Sequence, residues 1–437
     1  LGIVLGLLAC LAMADPASGA APGFQVPLSL RFSHLTTDKG LPQETVYAMA
    51  QDRDGYLWFG TQTGLARYDG YGVTTFGNDP ADRQSLADNW IQALHTDARG
   101  RLWIGNRRGL DRYDPATDRF VHYRPPGLGR NGSGDGVNAL VEDRSGQLWV
   151  GTGDGLARFD PDTGRFTMYR HDPADPRSLR SERVFALALD AHGGLWVGTV
   201  AGVDYLPPGG DGFLHFRLQG AAGQPRRDTI RTLMTEPDGS VWVGSQGGLE
   251  HWRLEGERLH RVPLQDPTLA SSSITALYRD RGDIVWIGTQ TAGLFRRQAD
   301  GHLLRYHHKR ADRSGLSDNY VCALLQDRDG TLWVGTWSAG ASWADLSSGG
   351  FERYGIDRPV PPRLSGDKVY GIADDGAGGL WLALREQGLD HVDLRSGQVR
   401  SYRHDPAVPG SLGSDNVAQA VPDAAAGCGW PPIPGSR

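Results

Sequence analysis

Eight tryptophans recur along this chain at nearly constant spacing, and that spacing restricts the possible folds more than any other feature. Trp58, Trp103, Trp149, Trp196, Trp242, Trp286, Trp333 and Trp381 are separated by 45, 46, 47, 46, 44, 47 and 48 residues. Each stands in a similar setting, as in Asp54-Gly55-Tyr56-Leu57-Trp58-Phe59-Gly60-Thr61. Self-similarity at such a period marks a repeat architecture, in which each unit buries its faces against its neighbours.

One unit reads as four short strands. Val46 to Gln51 is an apolar inner strand, and Asp52 to Gly55 is a tight turn in which glycine supplies positive φ. Tyr56 to Thr61 is a second strand, Gln62 to Gly64 a second turn, Leu65 to Asp69 a third strand and Val73 to Phe76 a fourth. A polar loop, Gly77 to Leu86, leads to the next unit at Asn89. Four antiparallel strands per unit make a β-propeller blade. The expected fold class is therefore all-β, a propeller with a tryptophan wedged between adjacent blades. Leu30 to Leu35 reads as an outer strand that completes the last blade and closes the ring. If seven blades close, it joins the strands around Trp333, and the Trp381 repeat begins a second propeller. The alternative is a single eight-bladed ring.

These readings divide the chain into four parts. Residues 1–22 read as a signal peptide: Leu1 to Ala14 is almost wholly apolar, too short to span a bilayer, and followed by small residues at Ala12-Met13-Ala14 or Ala20-Ala21. Residues 28–356 read as the seven-bladed propeller and 357–421 as additional repeat sequence. Residues 422–437 abandon the pattern. Their codons can be written so that a shifted frame yields Arg-Leu-Trp-Leu-Ala-Thr-Asp-Ser-Gly-Phe, with the tryptophan codon starting in Cys428, 47 residues after Trp381. A frame slip is one expectation for the tail, and a genuine end is the other.

Composition narrows function. The net charge is −6, so the chain offers no basic face for a phosphate backbone, and nucleic acid is excluded as a partner. Arg226-Arg227 and His307 to Arg310 are short loop clusters. Of three cysteines, only Cys322 lies within the repeats, so no disulfide framework is available. The aspartates Asp54, Asp97, Asp143, Asp190, Asp238, Asp280 or Asp283, and Asp329 recur in one turn and read as turn formers, not metal ligands. His307-His308 lacks the companions of a zinc site. Gly127 to Gly136 lacks the ending of a phosphate loop. Asn131-Gly132-Ser133 is a weak glycosylation match. The sequence points to no catalytic residue, metal or cofactor.

The repeat resembles the two-component regulator propeller family. The pattern Asp-x-x-Gly-x-Leu-Trp-x-Gly-Thr followed by Gly-Leu-x-Arg-Tyr-Asp is carried in full from Asp52 to Asp69, and again from Asp143 to Asp160 with Phe159 for tyrosine. Asn106, Ser245 and Ala383-Leu384 depart from it. The resemblance spans about residues 28–421. It implies a periplasmic sensor, or the periplasmic part of an inner-membrane protein. A downstream β-sandwich, a membrane helix and an output domain would follow, the last a histidine kinase or a diguanylate cyclase. It also implies a small-molecule or oligosaccharide signal, with a homodimer as a further arrangement. An interaction scaffold and a propeller lyase or hydrolase are the other classes weighed.

The working surface is expected where the loops entering the inner strands and those joining second to third strands emerge together. Residues there that break the repeat are the candidates: Arg107, Arg108, Trp337, Trp343, Arg385 and Glu386. Asn89 and Asn319, at inner-strand entrances, are expected to point toward the central mouth. Arginines beside exposed tryptophan suit an acidic or sugar-like ligand, because guanidinium forks carboxylates and aromatic rings stack on flat apolar faces.

Overall fold

The computed structural model describes residues 30–422 and 428–429, apart from 131–135, 219–228, 257, 263, 265–266, 299–300, 311, 313, 347–363, 395 and 397. The signal-peptide reading, Arg226-Arg227, the glycosylation match and most of the tail lie outside those residues. The described residues form eight four-stranded antiparallel sheets, with one α-helical turn, Pro267–Ser271. Two compact units divide the chain, residues 1–348 and 349–437.

In the first unit, seven sheets surround one axis. Their inner strands are Val46–Gln51, Ile91–Thr96, Val137–Glu142, Val184–Leu189, Ile230–Thr235, Ile274–Arg279 and Val321–Gln326. They define blades 1 to 7. Each inner strand lies against the next, and Val46–Gln51 lies against Val321–Gln326. Sheet pairing thus favours seven blades over eight. Ser33–Leu35 is the outer strand of blade 7, with His34 opposite Ser342 and Leu35 opposite Ala341.

The tryptophan wedge has a polar anchor. Asp52 accepts the Trp58 indole N–H on one oxygen at 2.7 Å, and the backbone N–H groups of Asp54 and Tyr56 on the other at 3.0 Å. One carboxylate therefore shapes the turn and satisfies a buried indole. Asp97, Asp143, Asp280 and Asp327 repeat the bond to their tryptophans, and Glu236 does so for Trp242. The anchor lies six residues before the tryptophan. Asp54, Asp238 and Asp329 are instead exposed members of the same turns. Blade 4 departs from this pattern, because Asp190 is taken by the Tyr205 hydroxyl at 2.8 Å.

The glycine after each tryptophan explains how blades stack. A Cβ at Gly105 would lie 2.6 Å from Val137 Cγ1, and at Gly288 2.6 Å from Val321 Cγ1. The first residue of each inner strand thus enters a notch that only glycine leaves open. At Gly335 the atom met is the Val46 carbonyl, 2.8 Å away, so the same notch closes the ring.

The loops between blades are pinned by buried carboxylates. Asp111, fully buried, accepts the Ala87 N–H at 2.9 Å and bonds His122 Nδ1 at 2.7 Å, while His122 Nε2 meets the Arg83 carbonyl at 2.9 Å. Asp204 and His215 repeat this in blade 4. The bond to Asp111 raises the His122 pKa above its ordinary 6.5. A raised folded pKa contributes stability that is fully present below 6.5 and lost as pH rises through the folded value. The difference in melting temperature between wild type and His122→Gln should therefore be largest at pH 5.5 to 6 and shrink toward pH 8, as read from thermal melts across that range.

The second unit holds the eighth sheet, Val369–Asp374, Gly379–Leu384, Gly388–Asp393 and Val399–Tyr402. Ala383 and Leu389 pack with Val417 and Ala420, so the segment after this sheet lies on it as a further inner strand would. Tyr370 and Ile372 of its inner strand are exposed.

Candidate functional site

The inner strands alternate buried residues with residues that face the central channel, as the two-residue period of a strand requires. The second channel-facing layer is apolar throughout: Met49, Leu94, Leu140, Leu187, Leu233, Leu277 and Leu324. The layer above it, at the mouth, is mixed: Tyr47, Gln92, Asn138, Phe185, Arg231, Thr275 and Cys322. Beside it stand the residue before each inner strand and the residue after each second strand. A backbone hydrogen bond joins these two, as from Trp337 to Tyr320 at 3.1 Å and from Gln290 to Ser273 at 2.9 Å.

On blades 7, 1 and 2 this mouth is aromatic. Trp337, 41% exposed, stacks on Tyr320 with ring centroids 5.0 Å apart and planes 6° from parallel. Tyr47 meets Trp337 edge-on at 5.7 Å and stacks on Trp90 at 5.9 Å. The Arg107 guanidinium lies 3.6 Å from the Trp90 ring centroid. The corresponding positions on blades 3, 5 and 6 hold no aromatic residue, with Gly136, Gly153, Ser273 and Gln290 among them, and blade 4 has Phe185 alone. Across the mouth, Arg183 and Arg231 flank Phe185 at 5.4 and 5.7 Å.

Burial pushes the Tyr47 and Tyr320 phenols up, while the charges of Arg107 and Arg231 respectively pull them down. Burial also pushes the Cys322 thiol up to about 12, which keeps it protonated and unreactive at neutral pH. Among the described residues no group of three metal-ligating side chains occurs.

The sequence candidates separate accordingly. Arg107 and Trp337 belong to the mouth. Arg108 is exposed on the same turn, its backbone N–H bonded to Asn106. Asn89 and Asn319 do not point into the mouth. Their side-chain oxygens accept the Asn78 and His308 N–H groups, holding the preceding loops at 2.6 and 2.8 Å. Trp343 lies directly opposite Trp333 in the sheet and packs on it at 5.8 Å, so it belongs to the blade core. Arg385 and Glu386 stand in the second unit and pair with each other at 3.3 Å, with Arg385 6.0 Å from the Tyr370 ring. The missed residues, Tyr47, Trp90, Phe185, Arg183, Arg231 and Tyr320, lie 11 or 13 residues before the blade tryptophan. Aligning the repeats at those offsets would have exposed them.

Comparison with known proteins agrees with this architecture. The two-component regulator propeller pattern matches residues 40–63, 85–108, 131–154, 178–201, 268–291 and 315–338. A 56-residue stretch is 38% identical to a histidine kinase of Formosa agariphila, covering 13% of this chain and 4% of that protein. The fold is similar to the extracellular domain of a B. thetaiotaomicron protein described as a hybrid two-component system. The TM-score is 0.73 at 23% identity, over 92% of this chain and 52% of that one. A second such domain from that organism gives a TM-score of 0.59 at 19% identity, over 92% of this chain and 50% of that one. The chain thus spans about half the length of these solved domains. Among the described residues no helix is long and apolar enough to cross a membrane.

Proposed function

Because this chain carries the repeats of the two-component regulator propeller family, we propose that it is the signal-receiving, extracytoplasmic part of a bacterial membrane receptor, and that its propeller mouth is where the signal binds. The observation that carries this reading is the aromatic arc of Tyr320, Trp337, Tyr47 and Trp90. A sevenfold fold needs its tryptophans and glycines in every blade and its anchoring carboxylates in most of them. It does not need four large aromatics stacked across three adjacent blades, where blades 3, 5 and 6 carry none at the same places. Stacked aromatics, three half-buried and Trp337 exposed, offer flat apolar surface suited to a small ligand.

The propeller itself is non-catalytic in this reading. Output lies in other parts of a longer protein, phosphotransfer by a histidine kinase in the first instance and cyclic-dinucleotide synthesis as the alternative. The eighth sheet begins a second propeller. A ligand at the mouth biases the receptor between two arrangements by binding one more tightly than the other.

The test is thermal melting of the whole chain against a panel of saccharides and small organic acids. A ligand at about 100 times its Kd should stabilise the protein by about 2.7 kcal/mol. Trp337→Ala should abolish that shift at a cost in stability of about 1–2 kcal/mol, since its ring is part-exposed and packs on two tyrosines. Tyr71→Ala, at a fully exposed outer turn, should keep the shift. A ligand whose stabilisation survives Trp337→Ala would place the signal elsewhere.

A further inference from the structure

The aromatic arc covers only part of the mouth, and the rest carries positive charge. Arg231 and Arg107 each lie against an aromatic ring, and neither has an acidic partner among the described residues. The one mouth carboxylate on blade 7, Asp318, is occupied by the Ser338 N–H and hydroxyl and by the Tyr320 N–H. A guanidinium lying against a ring keeps its planar N–H edge available, and that edge matches the two oxygens of a carboxylate. In the same mouth three buried polar atoms have no hydrogen-bond partner among the described residues: Trp90 Nε1, Gln92 Oε1 and Asn138 Oδ1. These three have no accessible surface, so ligand contacts fall to the exposed Arg231 and the part-exposed Trp337.

We infer that the mouth takes a small molecule bearing both a carboxylate and a flat apolar face, the carboxylate held by Arg231 and the face laid on Trp337. This rests on the reading of the mouth as the signal site and specifies its ligand. A sugar acid and an aromatic acid share that chemistry.

The test titrates the whole chain calorimetrically with glucuronate and benzoate, and with their neutral counterparts glucose and benzyl alcohol. At least one carboxylate should bind, and its neutral counterpart should bind about tenfold or more weakly, as loss of a charged hydrogen bond requires. Arg231→Gln should weaken the acid to a similar degree. Arg144→Gln should not, because that exposed arginine sits at the other end of an inner strand, bonded to the Ala191 carbonyl. Which acid binds separates the two sources.

Binding of the neutral compound as tightly as the acid, lost in Trp337→Ala, would overturn the carboxylate assignment and leave the mouth as the signal site. Binding unchanged in both Trp337→Ala and Arg231→Gln would overturn both. Absence of binding by either acid at about 10 mM, where even millimolar affinity is visible, would also overturn the assignment.

Discussion

Asp52→Ala should destabilise the propeller by about 2–4 kcal/mol, while Asp54→Ala, two residues along the same turn, should cost less than about 0.5 kcal/mol. Asp52 is 8% exposed and accepts three N–H groups, from Trp58, Asp54 and Tyr56. Trp58 is fully buried, so its indole N–H has no water to turn to when the carboxylate is removed. Leaving a buried donor unpaired costs about 1–3 kcal/mol, and losing the turn's two backbone bonds adds to that. Asp54 is exposed and serves the turn through its backbone. Asp52→Asn, which keeps an acceptor oxygen at the same place, should recover part of the loss. Urea unfolding followed by tryptophan fluorescence separates the three variants. Equal midpoints for Asp52→Ala and Asp54→Ala would show that the Asp52 carboxylate supports neither the indole nor the turn.

That pair also shows what the sequence could convey. The blade tryptophans were legible because a buried wedge must recur once per blade, and the glycine two residues later keeps the same period. Which turn carboxylate points inward was less legible, since Asp52 and Asp54 occupy one turn and side-chain direction is not a property of composition. The offset of six residues before tryptophan resolves it, and it also admits Glu236, which a search for aspartate passes over.

Ring closure was undecided because seven or eight units satisfy the same spacing. It is settled in space, by Ser33–Leu35 pairing with Ala341–Asp345 and by Val46 facing Gly335. At the mouth, Arg107 and Trp337 were visible because they break the pattern just after the tryptophan motif. Tyr47, Trp90 and Tyr320 were hidden because aromatic residues at the start of a strand read as ordinary β-formers. Their meaning comes from three blades that adjoin only once the ring has closed.

That closure should be the most sensitive point of the fold outside the tryptophans. Phe32 and Leu35 are each 4% exposed and enter different clusters. Phe32 packs with Trp286, Leu316, Leu332 and Leu346, whereas Leu35 packs with Val46, Phe59, Trp333 and Ala341. Phe32 therefore seals blade 7 toward blade 6, and Leu35 seals it toward blade 1. Truncating a buried phenylalanine costs about 3–5 kcal/mol and a buried leucine about 2–5 kcal/mol. The sum rivals the whole stability of a typical domain, about 5–15 kcal/mol. The strand also has a second effect, because its loss leaves Ala341–Asp345 as an open edge able to pair with another chain. Phe32→Ala/Leu35→Ala should thus lower the urea midpoint far more than either single change, and should populate oligomers on size-exclusion chromatography. His34→Ala, at the half-buried position between them, should do neither. A double variant as stable and monomeric as wild type would mean that the ring is held by the contact between Val46–Gln51 and Val321–Gln326, with the outer strand an accessory.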